Sequence, residues 1–201
     1  MEARVCVVVG VGPGLGEALA RTFSTEGYRV ALLSRREQKL AALASELDGV
    51  GVACDATDPA SIRAALAEVR RRLGPVHTLL WNVGSAVWGD LDTVDEDGME
   101  LAWRTNALGL FAAAKAAVAD MRAAGEGAII VTGATASRRG KPLTTAFAAG
   151  KAAQRSLCQS LARQLWPEGV HVALMIIDAG VGPRGGDDPG KLDPDHAART
   201  A

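Results

Sequence analysis

Cysteine is scarce in this sequence: Cys6, Cys54 and Cys158 are an odd number, widely spaced, with no C-x-x-C pair. That pattern excludes a disulfide framework and a cysteine metal site, and the three read as small apolar residues in a reducing compartment. No charge of one sign dominates. Lysine plus arginine number 22 and aspartate plus glutamate 23, a formal net charge of −1. There is therefore no electrostatic case for nucleic acid or an acidic membrane surface. No uncharged apolar run is long enough to span a bilayer, since Lys115 and Asp120 interrupt the longest alanine-rich stretch. Nothing ahead of Val5 reads as a signal peptide, so a cytoplasmic protein is expected, with no metal and no membrane partner. Tyrosine occurs once, at Tyr28.

What remains is ordinary globular material: 201 residues, 48% hydrophobic and 22% charged, enough for one well-buried domain over 1–201. Its most informative stretch is near the start. The apolar run Val5 to Val9 leads straight into Gly10-Val-Gly12-Pro-Gly14-Leu15-Gly16, and a helical pattern follows at once. Apolar β-branched residues suit a buried parallel strand. Glycines let the backbone turn sharply and approach a ligand closely. The helix beyond offers free N–H groups and the positive end of its dipole, which suits a pyrophosphate. A dinucleotide is the simplest ligand for this arrangement, and a plain tight turn is the competing reading.

Strand and helix patterns then alternate. Strands are expected at Val5–Val9, Arg29–Leu33, Val50–Ala53, Thr78–Trp81, Ala128–Thr132 and His171–Ile177, and helices at Gly16–Glu26, Arg35–Leu47, Pro59–Leu73, Glu96–Ala123 and Thr144–Trp166. Such alternation predicts an α/β fold: a Rossmann-like, doubly wound parallel sheet of order 3-2-1-4-5-6, helices on both faces, ligands at the carboxyl ends of the strands. Ser34-x-x-Glu37 reads as a capping box for the second helix. Asp58-Pro59 sets a good N-cap before a proline at the first helical position. Gly74-Pro75 ends the third helix. From Ala179 the composition turns glycine- and proline-rich, and residues 179–201 are expected to form a flexible substrate-side tail.

Many dinucleotide sites place an acid about 20 residues after the glycines to hold the ribose 2′-OH. Counting from Gly14, that position holds the neutral Ser34, followed by Arg35 and Arg36. An arginine there can take a 2′-phosphate through its planar donor set. NADP(H) is accordingly preferred to NAD(H); the other reading of Arg35 and Arg36 is a solvated helix start.

The spacing Gly10-x-x-x-Gly14-x-Gly16 resembles the short-chain dehydrogenase/reductase family, and further motifs along nearly the whole chain resemble it too. The resemblance implies that Asp55 and the backbone of Ala56, in Cys-Asp-Ala-Thr-Asp, lie beside the adenine. It also matches Trp81-Asn82-Val83-Gly84 to the family's Asn-Asn-Ala-Gly, with Trp81 in place of the first Asn. Asn82 is as well explained by tying strands together as by touching the cofactor. Family members carry Tyr-x-x-x-Lys on the fifth long helix, a Ser thirteen residues before the Tyr, and an Asn on the preceding long helix. The spacing of four sets the Tyr and Lys on one helix face.

In this chain Lys151 matches that Lys and Asn106 matches that Asn, but Phe147 stands at the Tyr position and Ala134 at the Ser position. Phenylalanine has no proton to give and alanine forms no side-chain hydrogen bond. Tyr28, His77 and His171 belong to the opposite end of the sheet, and His196 lies in the tail. Water, the substrate, Lys151, Thr135 or Thr145 remain as proton sources. Lys151 is alternatively a solvated helix lysine, and Asn106 alternatively bonds its own helix backbone. Trp88 lines a substrate pocket or covers the core edge. After the sixth strand the family's Pro-Gly is replaced by Asp178-Ala179-Gly180, placing Asp178, Gly180 and Val181 near the nicotinamide.

The resemblance implies an oxidoreductase that reduces a carbonyl or activated double bond of a small molecule with a non-standard proton source. The alternative is a silent NADP(H)-binding sensor or partner subunit. It also implies a homodimer or homotetramer through the two long helices, Glu96–Ala123 and Thr144–Trp166, and a chain that stops short of the family's final helix and strand.

Overall fold

Every residue of the first strand, β1 (Val5–Val9), is buried. That is the signature of a strand covered on both faces, and the computed structural model, which describes residues 3–184, 186 and 190–201, bears it out. β1 lies at the centre of six parallel strands with β2 (Arg29–Ser34), β3 (Val50–Ala53), β4 (Val76–Trp81), β5 (Gly127–Ala134) and β6 (Val170–Ile177), in the order 3-2-1-4-5-6. Alternation along β1 divides the core in two. Val5, Val7 and Val9 face α3 (Pro59–Leu73), α5 (Gly109–Ala124) and α6 (Thr145–Leu165), meeting Leu66, Leu110 and Leu165. Cys6 and Val8 face α1 (Leu15–Thr25) and α2 (Ala41–Glu46), meeting Leu15, Leu19 and Ala44.

Local chemistry explains several boundaries. Asp58 caps α3, its carboxylate accepting from the N–H groups of Ala60 and Ser61, with Pro59 at the first helical position. Gly74, at φ +102°, takes the chain out of α3.

Two expected helices differ. The segment from Arg35 to Leu47 is a short 3-10 turn, Glu37–Lys39, followed by α2. The capping box does not form: Ser34 is the last residue of β2, paired with Ala53, and its Oγ lies 3.4 Å from the Arg36 N–H. Sheet pairing has claimed the residue that local sequence offered as a cap. The long helix from Glu96 is likewise interrupted. α4 (Glu96–Trp103) and α5 are joined by a π-helical turn, Arg104–Leu108, with Asn106 at its centre.

Beyond β6 the chain forms a two-residue parallel pair, β7 (Gly180–Val181) and β8 (Lys191–Leu192), and a short helix, α7 (Pro194–Ala198). Ala197 and Ala198 are buried in the same apolar cluster as Cys6 and Val8. Part of the turn-rich run, residues 185 and 187–189, lies outside the described residues. Among the described residues, no helix is long and apolar enough to cross a membrane.

Candidate active site

The glycine-rich loop leaves β1 at its carboxyl end, where Gly10 adopts φ +92° and its N–H donates to the Leu33 carbonyl at 2.9 Å. A side chain on Gly10 would run into the Asn82 carbonyl, and a Cβ on Gly16 would stand 2.5 Å from the Gly10 carbonyl oxygen. Both positions need glycine for close packing. Gly12 is different: nothing lies within 4 Å of where its Cβ would be. The loop thus presents open space directly before the N-terminus of α1, where Gly14 is the N-cap and no side chain caps the helix. The Glu17 N–H donates to the Gly12 carbonyl at 3.1 Å, and the remaining first-turn N–H groups beside the gap fit a diphosphate. The chain after β6 borders this gap, the Gly182 carbonyl oxygen lying 3.2 Å from a Gly14 Cβ. A cleft of about 410 Å³ runs between Pro13, Glu17, Pro183 and Arg184.

At the β2–β3 end of the same edge, Arg35 and Arg36 are exposed. Asp55 accepts from the Thr57 N–H at 2.9 Å and from its hydroxyl at 2.8 Å. Those two bonds, with Arg35 nearby, hold its carboxyl below the usual aspartate range. The backbone of Ala56 packs under Gly109 of α5, where the buried indole of Trp81 also arrives.

Asn82 is a tie between strands. Its Nδ2 donates to the Gly10 carbonyl at 3.0 Å and its Oδ1 accepts from Thr132 Oγ1 at 2.9 Å, linking β1, β4 and β5. The next residues reach the centre of the edge. Lys151, 4% exposed, donates from Nζ to the Val83 carbonyl at 3.2 Å, the Thr132 carbonyl at 2.9 Å and Gln154 Oε1 at 3.1 Å. Burial lowers its pKa to about 8. Gly84 lies beside both: a Cβ there would stand 3.7 Å from Lys151 Nζ and 4.0 Å from the Phe147 ring, ordinary contact distances.

Phe147 precedes Lys151 by one turn of α6. Trp88 stacks on it, ring centroids 4.5 Å apart with an interplanar angle of 28°. Trp88 is 58% exposed, so the pair presents an aromatic face at the mouth of the site. Asn106 donates from Nδ2 to the Ala102 carbonyl at 2.8 Å and to Ser85 Oγ at 3.1 Å, and its Oδ1 is buried without a partner. Ala134 pairs with Ile177 at the ends of β5 and β6. The residues that follow them meet as well: Thr135 donates its hydroxyl to the Asp178 carboxylate. Gly180 and Val181 follow in β7, paired with Lys191 and Leu192 of β8.

The structure therefore brings Gly10, Asn82, Val83, Gly84, Phe147 and Lys151 together, with Ala134 and Asp178 on the adjoining strand ends. Ser34, Arg35, Arg36, Asp55 and Ala56 stand apart along the same edge. Gln154 was not singled out from sequence. The available signal was its place three residues after Lys151 on α6, a polar side chain on the face that buries Ala146, Gly150 and Cys158.

The fold recurs in known proteins. The short chain dehydrogenase family model matches residues 4–181. The chain is 34% identical over 156 residues to a protein of Xanthobacter autotrophicus named inactive 2-(S)-hydroxypropyl-CoM dehydrogenase 2, covering 77% of this chain and 68% of that one. A short-chain dehydrogenase from Rhodopseudomonas palustris superimposes with a TM-score of 0.83 at 30% identity, over 98% of this chain and 89% of that one. A metagenomic short-chain oxidoreductase in complex with NADP gives 0.86 at 27%, over 100% and 89%. A match across most of the sequence, on a sheet of the same strand order, makes this chain a member of the short-chain dehydrogenase family of oxidoreductases.

Proposed function

We propose that the chain is a cytoplasmic, NADP(H)-dependent oxidoreductase that reduces a small unsaturated substrate, a carbonyl or activated double bond, without a tyrosine proton donor. The observation that carries the cofactor choice is Arg35. It follows the neutral Ser34 at the end of β2, exposed, with Asp55 across the gap. A guanidinium there recognises a 2′-phosphate, whereas a carboxylate would repel it.

The other roles follow from position. The gap beside Gly12 and the free N–H groups of α1 hold the diphosphate. Asp55 and the Ala56 backbone border the adenine. Lys151 holds the nicotinamide ribose by exchanging one of its three protein acceptors for a ribose hydroxyl. Asp178, Gly180 and Val181 border the carboxamide, and Asn106 fixes the floor of the site through Ser85. When bound, the nicotinamide supplies hydride chemistry, and the chain supplies position and electrostatics. A positioned general acid contributes roughly 10²–10⁴-fold, so Phe147 costs rate with a neutral carbonyl and does not forbid the reaction.

A second reading has specific support: Phe147 and Ala134 remove both polar groups that would touch a carbonyl, and one relative is named inactive. On that reading the chain binds NADP(H) as a sensor or partner subunit.

Calorimetry with NADPH and NADH tests the cofactor assignment. Arg35→Ala should weaken NADPH by about 10–100-fold, the range of one or two charged hydrogen bonds, and leave NADH within about twofold. Equal loss for both nucleotides would defeat the NADP(H) preference. No binding of either by the wild-type protein would defeat the function.

A further inference from the structure

Most side-chain donors on the substrate side of this edge are engaged within the protein. Thr132 donates to Asn82, Thr135 to Asp178 and the Ile177 carbonyl, and Thr145 to the Pro142 carbonyl. Lys151 gives all three N–H bonds to oxygens of the protein itself. Ser85, buried, accepts from Asn106. Phe147 and Ala134 have nothing to donate. A neutral carbonyl needs a hydrogen-bond donor as its oxygen gains charge and a proton once it becomes an alkoxide. Among the described residues, the hydroxyls left over here, Ser85 and Ser137, are buried, as is Gln154 Nε2, so a carbonyl seated at the surface of this edge meets no accessible uncharged side-chain donor.

What the edge does offer suits the opposite charge. The Trp88–Phe147 stack is an exposed aromatic face, and aromatic faces attract cations. Asp178 adds an exposed carboxylate one residue beyond the Ala134–Ile177 pair, oriented by the Thr135 hydroxyl. An ammonium, Lys151 Nζ, also lies near, 6.0 Å from the Phe147 centroid. It is enclosed by its three oxygen acceptors, whose partial negative charges face it, and burial shifts it toward the neutral form. Arg138, Arg139 and Lys141 are exposed on the β5–α6 connection and Asp90 and Asp92 follow Trp88, so the rim is of mixed sign and the aromatic–carboxylate pair decides locally.

We infer that the substrate is a planar iminium ion, seated on the Trp88–Phe147 face with its positive charge toward Asp178. This rests on the oxidoreductase reading above and names its substrate class. The chemistry balances without the missing groups. The iminium carbon takes up a hydride, two electrons and one hydrogen, from the reduced nicotinamide. The C=N π pair becomes the nitrogen lone pair, and the product is a neutral tertiary amine. No proton passes to or from the protein, so the absence of a tyrosine costs nothing in this step.

N-methyl-3,4-dihydroisoquinolinium, a permanently charged iminium, and 1-tetralone, a neutral ketone on the same two-ring frame, distinguish the outcomes. With NADPH, kcat/KM for the iminium should exceed that for tetralone at least about tenfold, as expected if one general-acid step is bypassed. Binding is read separately by calorimetry without nucleotide, using the unreactive cation N,N-dimethyl-1,2,3,4-tetrahydroisoquinolinium. Asp178→Asn, which keeps an acceptor for Thr135, should weaken that cation by about fivefold in this nucleotide-free assay, the scale of an exposed ion pair. Trp88→Leu should also weaken the cation more than the ketone. Tetralone reduced as well as the iminium overturns the inference, as does cation binding indifferent to Asp178→Asn and Trp88→Leu. A protein that binds NADPH and reduces neither compound also overturns it and favours the silent reading. A protein that binds no nucleotide defeats the function proposed above, while the cation-binding arm still decides this inference.

Discussion

Lys151 holds a charge where water cannot reach it, and the cost has a measurable pH signature. Its pKa is about 8 in the folded protein against an ordinary 10.5. Below pH 8 the lysine is protonated in both states and the burial penalty is fully present. Between pH 8 and 10.5 the unfolded chain holds the proton and the folded chain does not, so stability rises with pH across that window. Compared with Lys151→Met in urea unfolding, the wild-type protein should gain about 2 kcal/mol between pH 7.5 and 9.5. A difference that stays flat, or falls, would mean that Lys151 is not desolvated as described. At this scale the sequence is a partial guide. The position of Lys151 was legible from its spacing to Phe147. Its partners were not, because the Val83 and Thr132 carbonyls come from strand ends brought close only by the sheet. The Thr135–Asp178 hydrogen bond is of the same kind: two residues 43 apart in sequence, joined by the register of β5 against β6.

α6 crosses the π turn between α4 and α5 at Gly150. A Cβ there would stand 2.7 Å from the Ala102 carbonyl oxygen and 2.9 Å from Asn106 Nδ2. Alanine is the better helix former by about 1 kcal/mol, so an unconstrained helix would gain from Gly150→Ala. Here the added methyl presses on the carbonyl that Asn106 caps, and overpacking of this sort costs about 1–3 kcal/mol. The variant should melt several degrees lower, at roughly 2–4 °C per kcal/mol for a chain of this size. An unchanged or higher Tm would remove the steric account. The elements themselves divide by what fixes them. β1, β3 and α3 run over the residues that pattern and caps select, since an all-apolar strand or an Asp-Pro start needs no help from elsewhere. The break at Arg104–Leu108 is invisible to periodicity, because it depends on Ser85 and Gly150 arriving from other parts of the chain. Ser34 misled in the same way: a cap in isolation, it becomes a strand residue once β3 pairs with it.

Across the molecule, the order of the sheet was legible in full, because alternating strands and helices with right-handed crossovers leave few arrangements open. The small elements after β6 were not, being too short to carry a period. Along α4 and α5, Met99 is 38%, Trp103 48% and Phe111 46% exposed, large apolar side chains of the kind that mark interaction surfaces when they are contiguous. A homodimer or homotetramer through Glu96–Ala123 and Thr144–Trp166, which the family resemblance implies, would cover part of that surface. Light scattering on a sizing column should therefore find a multiple of the 20.8 kDa chain mass. Trp103→Glu, which sets a charge in an apolar contact, should shift it toward the monomer; a monomeric wild type would rule the assembly out. The burial of Ala197 and Ala198 beside Cys6 and Val8 carries a consequence for how the chain comes into being. The first strand is made well before the residues around Ala197 that complete the layer on its α1 side. Until those residues follow, that face stays incomplete, the interval in which a chaperone has most to cover.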